Sequence, residues 1–370
     1  LGVAARSKAN LIHPGYGFLA ENADFAERVE DAGFCWVGPP PAAIRLMGSK
    51  TESRKLARQA AVPVIPGLLE PLADLDGLEA FVAEHGLPVL LKAVAGGGGK
   101  GMREVLRRED LGSALERARS EGKAYFGDDR VYVERLITRP RHIEVQVAAD
   151  RFGSAVYVGE RECSIQRRHQ KVVEECPSPL VGADLRHRLG EAALAIVRAA
   201  SYQSVGTVEF LLDPDGEFYF LEMNTRLQVE HPVTEEVYGV DLVCEQIRLA
   251  LGERLGLQQD ALAPRGHAIE CRIYAEDPLR GFAPSPGTIS LLIRPSGPGV
   301  RVDSGVLSGS VVPLEYDPML SKLVVWAPDR SAAVSRLRRA LQEYQIRGIS
   351  TTLSLFRALV EMDAFRDAEF

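Results

Sequence analysis

Leu221-Glu222-Met223-Asn224-Thr225-Arg226-Leu227-Gln228-Val229-Glu230-His231 packs two carboxylates, two amides, an arginine and a histidine into eleven residues. It follows a segment patterned as a β-hairpin. Thr207-Val208-Glu209-Phe210-Leu211-Leu212 forms one strand and Glu217-Phe218-Tyr219-Phe220-Leu221-Glu222 the next, both rich in aromatic and aliphatic residues. Asp213-Pro214-Asp215-Gly216 suits the turn, with Pro early and Gly late. A two- or four-residue loop pairs Leu212 with Glu217, or Asp213 with Gly216, and either choice sets Glu209 opposite Phe220. Glu222 is then diagonal to Glu209 on the same face, roughly 7–8 Å away at the backbone and closer at the carboxylates. Asn224 continues that face if the strand runs on. Two carboxylates and an amide oxygen make a hard-oxygen site suited to Mg²⁺, which completes its shell with water and phosphate oxygens. A three- or five-residue loop would put the two glutamates on opposite faces. The competing reading is a solvated acidic strand face. Against it, Glu222 ends an apolar, aromatic run, and the polar segment beyond is not patterned as a solvated turn.

The chain of 370 residues is long enough for two or three domains with a sizeable core. A net charge of −7 argues against general nucleic-acid affinity. No apolar run reaches the length of a membrane span, and no signal peptide is visible. The five cysteines (Cys35, Cys163, Cys176, Cys244, Cys271) have long, irregular spacings and no CxxC pair. Free thiols in a reducing, cytoplasmic setting are therefore expected rather than structural zinc. The chain opens on Leu1 in mid-element, as a piece without its natural start would.

Residues 1–47 are patterned as the tail of an α/β unit. Strands at 9–12 and 34–38 flank a Gly-rich loop, His13 to Asn22, and a helix from about Ala23 to Ala32. Such loops lie where α/β proteins bind ligands, so Tyr16 and Phe18 are candidates to face a substrate. Ser49 and Glu52 form a capping box opening a helix to about Ala61. Lys50 in its first turn opposes the helix dipole, a penalty that a bound anion would reverse. Lys92 interrupts a buried strand, 88–94, and requires a partner. Four glycines, Gly96 to Gly99, follow it. The strand pattern of Met102–Leu106 excludes a dinucleotide fingerprint there, and Gly101 after Lys100 excludes a Walker loop. A hairpin lid over a nucleotide fits better. Strands are expected at 132–137, 141–147 and 155–159, followed by a basic run, 166–175. Helices are expected at 184–201 and 233–256, strands after Pro264, and a final helix pair over 331–362.

At this point the chain resembles the biotin carboxylases, the ATP-grasp components of acetyl-CoA, propionyl-CoA, methylcrotonyl-CoA and pyruvate carboxylases. The resemblance rests on HPGYGFLAEN (13–22), AGGGGKGM (95–102), RRHQKVVEE (167–175), EMNTRLQVEHPVTE (222–235), FAPSPG (282–287) and YDPMLSK (316–322), in order across nearly the whole chain. It implies an α/β and α+β multidomain protein. A partial Rossmann-like pre-ATP-grasp unit would occupy 1–47, short of about one βαβ unit. An ATP-grasp domain would occupy 48–262, with a mobile lid at about 64–136, and a biotin carboxylase C-terminal domain 263–370.

The resemblance also implies roles. Lys50 and Lys92 would hold ATP phosphates beneath Gly98 and Gly99. Glu134, Arg135, Leu136 and Ile137 would bind adenine, mostly through backbone, and His142, Gln166 and His169 would contact the nucleotide. Glu209, Glu222 and Asn224 would hold two Mg²⁺ or Mn²⁺ ions. Lys171, Arg226, Gln228 and Val229 would seat bicarbonate, and Glu230 would deprotonate it. Arg301 would face the biotin ureido oxygen, with Tyr16 and Phe18 nearby. No lysine lies between methionines, so biotin is expected on a separate carrier domain or protein, with a carboxyltransferase as a further partner and a homodimer as the assembly. Two other readings are a carbamoyl-phosphate-synthase-type ligase, disfavoured by Arg301, FAPSPG and YDPMLSK, and an inactive nucleotide-binding subunit, disfavoured because every implied ligand position is filled.

Overall fold

The computed structural model describes residues 1–68, 70–94 and 102–370. The amino-terminal part holds β1 (Leu11–Ile12), α1 (Ala23–Asp31), β2 (Cys35–Trp36), α2 (Pro41–Gly48) and α3 (Lys50–Gln59). β1 and β2 pair in parallel around α1, as the α/β pattern requires. Ser49 caps α3 by accepting the Glu52 N–H at 3.3 Å, while the Glu52 carboxylate turns to Lys55 at 3.0 Å. Only half of the expected capping box therefore forms.

A small unit follows: α4 (Leu75–His85), β3 (Val89–Ala93), β4 (Met102–Val105), α5 (Leu111–Phe126) and β5 (Val131–Arg135). Its antiparallel sheet runs β4-β3-β5. Its core of Leu78, Phe81, Val89, Leu91, Val131 and Val133 is separate from the main one.

The remainder is organised on one eight-stranded antiparallel sheet. It contains β6 (Arg141–Ala149), β7 (Ala155–Arg167), β8 (Gln170–Cys176), β9 (Ser204–Leu212), β10 (Phe218–Asn224), β11 (His267–Tyr274), β12 (Val300–Ser304) and β13 (Met319–Ala327). Their order is β10-β9-β6-β7-β8-β11-β13-β12. The β8–β11 pairing joins the strands before and after residue 262 into one surface, across the domain boundary expected from the sequence. On its faces lie α6 (Ala183–Ala199), α7 (His231–Tyr238), α8 (Leu242–Ala250), α9 (Arg330–Glu343) and α10 (Leu353–Leu359).

Three expectations are corrected. The helix expected over 233–256 is two helices, because Gly239 adopts a left-handed conformation and Asp241 caps a new start by accepting the Cys244 N–H. The final helix pair is split by a short strand, Gln345–Arg347, which pairs with Leu291–Ile293. The strand expected to end at Gly159 continues to Arg167, and the basic run forms a hairpin with it. Its two-residue turn, Arg168-His169, has φ of 51° and 66°. That is primed-turn geometry, for which Asn and Gly are the usual signals, so the local sequence did not announce it.

Candidate active site

A cleft of about 1360 Å³ lies between the small sheet and the large one. On its floor Glu209 and Glu222 meet, by a route different from the expected one. The β9–β10 loop spans five residues, closed by Asp213 N–H donating to Glu217 O at 2.8 Å. The Asp213 side chain accepts from the N–H of Asp215 and of Glu217, which holds the odd-length loop. Phe220 therefore pairs with Phe210, not Glu209, and this register alone would part the two glutamates. A β-bulge at Leu221 inserts one residue and sets Glu222 directly opposite Glu209.

Glu209 accepts from His142 at 2.7 Å, Lys171 at 2.9 Å and Asn224 at 2.7 Å. Burial raises its pKa, but Lys171 and His142 outweigh that and hold it below the usual range. Among the described residues no donor reaches the Glu222 carboxylate, and burial followed by the Glu209 charge raises its pKa. A facing pair in which one member lacks a cation fits a divalent metal. The Asn224 oxygen accepts from Arg226 at 3.1 Å.

Lys171 is the centre of the floor. Its ammonium donates to Glu144, to Glu209, and to Glu230 at 2.8 Å. Glu230 is fully buried; its other oxygen accepts from Arg272 at 2.8 Å. Burial disfavours the Glu230 anion, yet Lys171, Arg272 and Arg161 hold it ionised, well below its ordinary pKa. Arg161, buried between strands, donates to Glu144, Gln146, Thr207 and Thr234.

Around this floor the cleft collects Lys50, Lys92, Glu134, Arg135, Leu136, Ile137, His142, Gln166, His169, Arg226, Gln228, Val229, Tyr16 and Phe18. Gly98 and Gly99 lie outside the described residues. Gln166 donates to His142 Nδ1 at 3.1 Å, and Arg226 donates to Glu21 at 2.8 Å and Gln228 at 3.0 Å. Phe18 is 92% exposed at the rim. Arg301 does not line the cleft. Asp303 and Glu235 hold it, and Lys322, 3.6 Å from Asp303 and over the Tyr16 ring, links it to the mouth.

The biotin carboxylase N-terminal domain pattern matches residues 1–44, and the ATP-binding domain pattern of the carbamoyl-phosphate synthase L chain matches 49–258. The biotin carboxylase C-terminal domain pattern matches 270–370. The biotin carboxylase of Nostoc sp. is 50% identical over 368 residues, covering 99% of this chain and 82% of that protein. The chain belongs to the biotin carboxylase family. The chloroplastic biotin carboxylase of Arabidopsis thaliana is 48% identical over 369 residues, covering 100% of this chain and 69% of that protein. The fold matches a crystal structure of the biotin carboxylase domain dimer of Hydrogenobacter thermophilus 2-oxoglutarate carboxylase with MgADP and bicarbonate. The TM-score is 0.91 at 45% identity, covering 100% of this chain and 82% of that one. The C-terminal biotin carboxylase pattern separates this chain from the carbamoyl-phosphate synthases with which its ATP-grasp core is shared.

Several residues of this biotin carboxylase site were not singled out from the sequence. Glu134 was expected to act through its backbone, yet its side chain is buried and paired with both Arg54 and Lys92. Glu21, Glu144, Arg161, Arg272 and Lys322 were missed. Their signal was available: Arg272 and Glu270 interrupt the apolar run of β11, and a charge inside a buried strand requires a partner.

Burial, then the charges of Arg54 and Lys50, push the Lys92 ammonium down to about 8. A lysine neutral above that pH attracts phosphate less. ATP affinity of the free enzyme is therefore expected to fall roughly tenfold per pH unit above about 8, and to stay flat in Lys92→Arg. Calorimetric titration across pH 7 to 9.5 (approximate limits chosen to bracket the transition) checks this; an equal fall in both proteins removes Lys92 from the phosphate site.

Proposed function

We propose that this chain catalyses ATP-dependent carboxylation of biotin by bicarbonate, the first half-reaction of a biotin-dependent carboxylase. The observation that carries the reading is the junction of Lys171 and Glu209, on the cleft floor, with Glu230 just beneath it. One ammonium there joins an ionised base to the carboxylate pair suited to metal.

Lys50 and Lys92 attract the phosphates of ATP, and the Glu134–Ile137 segment lies where adenine would be read. Arg226, Gln228 and the Val229 N–H orient bicarbonate. Glu230, held ionised, removes the bicarbonate proton, and the freed oxygen attacks the γ-phosphorus while the bond to ADP breaks. Lys171 neutralises charge gathering on the transferring group. Glu209, Glu222 and Asn224 would hold Mg²⁺ or Mn²⁺, which would supply further positive charge at the phosphate oxygens. The carboxyphosphate breaks to CO₂ and phosphate, which takes the N1 proton of biotin as N1 bonds to carbon. Arg301, the residue the resemblance implies for the ureido oxygen, stands outside the cleft and reaches its mouth only through Asp303 and Lys322, with Tyr16 and Phe18 at the entrance.

Biotin arrives on a carrier, and a carboxyltransferase chooses the final acceptor. A homodimer is the proposed assembly, in line with the dimeric Hydrogenobacter relative. The five free thiols favour a reducing, cytoplasmic compartment, and no helix among the described residues is long and apolar enough to cross a membrane.

The deciding test is ADP release from Mg-ATP and bicarbonate, with and without free biotin. Biotin-stimulated release supports the reading; ATP binding without any release counts against it. In Arg301→Ala, biotin carboxylation is expected to fall roughly a hundredfold while biotin-independent ATP cleavage changes less than about threefold. Equal losses would remove Arg301 from the biotin step.

A further inference from the structure

Glu174 and Glu270 are buried charges that the mechanism above does not use. They are register partners on β8 and β11, and both are fully buried. Glu174 Oε1 accepts from Arg272 Nε at 2.6 Å. Among the described residues Glu174 Oε2 and both oxygens of Glu270 have no hydrogen-bond donor. Arg272 carries a second donor, Nη2, to Glu230 at 2.8 Å. A single guanidinium thus spans the proposed base and the orphaned pair.

The local charge balance points the same way. Glu144, Glu230, Glu174 and Glu270 face Lys171, Arg161 and Arg272. Lys322 of β13 also faces Glu270, but its ammonium donates to the Val229 carbonyl at 2.8 Å and lies 3.6 Å from Asp303. Glu230, at the start of α7, and Arg272 act on both members; Lys171 and Glu144 act on Glu174. Tyr274 and the thiols Cys163 and Cys271 are further titratable neighbours. α7 covers this side with Val233 and Val237, and α9 packs on the apolar side through Val334, Leu337 and Leu341. One proton between two carboxylates restores balance, because a carboxyl group can donate to the facing carboxylate. Burial, the leading cause for both, raises Glu174 to about 7 and Glu270 well above its ordinary value.

We propose that Glu174 and Glu270 share one proton across the β8–β11 pair and, through Arg272, set how strongly Glu230 holds a proton. They are positioning residues, and the proposal rests on the reading of Glu230 as the base. While the pair carries one negative charge, Arg272 is partly neutralised and Glu230 remains basic enough to deprotonate bicarbonate. Without that charge, Arg272 acts on Glu230 alone and weakens the base.

Two measurements test this. In Glu174→Gln the acid limb of the pH profile for bicarbonate-dependent ATP cleavage is expected to move down by about one pH unit. kcat should fall roughly tenfold near neutrality, with KM for ATP unchanged. An unmoved limb overturns the coupling. The second readout is thermal stability against pH. A proton bound in the folded state but lost from the unfolded chain above its ordinary pKa makes stability fall as pH rises. Glu270→Gln removes that slope, so its Tm relative to the unsubstituted protein is expected to climb by about 2 °C per pH unit from roughly pH 5 to 7. A constant difference overturns the shared proton. If the unsubstituted enzyme cleaves no ATP with bicarbonate, the functional reading falls while the Tm series still decides the pair.

Discussion

Glu230→Gln is expected to lower bicarbonate-dependent ATP cleavage by about 10³-fold or more while ATP still binds with nearly unchanged affinity. Glutamine fills the same volume and can still accept from Lys171 or Arg272 through its amide oxygen, so the cleft keeps its shape. What it loses is the charge that two cations hold in place and the capacity to take a proton. Glu230 is buried beneath the floor and is not among the residues that line the cleft with Lys50 and Lys92. Single-turnover ADP formation beside a nucleotide-binding titration separates the two effects. Undiminished turnover would remove Glu230 from the proton step.

Lys171→Met is expected to abolish activity and also to destabilise the fold. Glu144, Glu209 and Glu230 all point at this ammonium, and methionine leaves them buried against one another. Removing one partner of a buried ion pair costs roughly 3–5 kcal/mol, which for a chain of this length lowers Tm by about 4–7 °C. The pH dependence should also flatten. In the native protein Glu209 and Glu230 have lowered pKa values, so their stabilisation is present above the ordinary carboxylate range and is lost as pH falls through the folded values. Without Lys171, Glu209 keeps His142 and Glu230 keeps Arg272 and Arg161, so their folded values rise toward the ordinary range and the loss of stability on acidification becomes shallower. Thermal denaturation from about pH 4 to 8 reads this directly. A variant that keeps the native pH profile would show that Lys171 is not their main counter-charge.

Much of the cleft was legible along the chain because its residues fall in short, dense motifs. Lys50 at a helix start, Lys92 in a buried strand and the polar run after Glu222 each break a local pattern in a way that requires a partner. The small unit was legible for the same reason: its strands and helices alternate cleanly around residues 75–135. Glu209 and Glu222 meet as the hairpin pattern predicts, but in a different register. The pattern predicts an even loop and a regular strand, whereas the loop is odd and the strand is bulged. The two one-residue shifts add to two, which restores the face but moves the partner of Glu209 from Phe220 to Glu222, and no period-two reading detects either, since a slip of one residue inverts every face.

The sequence by itself determined the family and the order of most elements, and it singled out Glu209, Glu222, Lys50, Lys92 and Glu230 as candidates, because these are properties of local pattern and motif. Tertiary structure alone decided which charges neutralise which. Lys171 reaches Glu144, Glu209 and Glu230 from three separate parts of the chain. Arg272 joins Glu230 to Glu174 across β8 and β11, and Lys322 reaches Asp303 and Tyr16 from another strand. Charge–charge energy depends on separation in space and on exclusion of water, and neither is encoded in spacing along the chain.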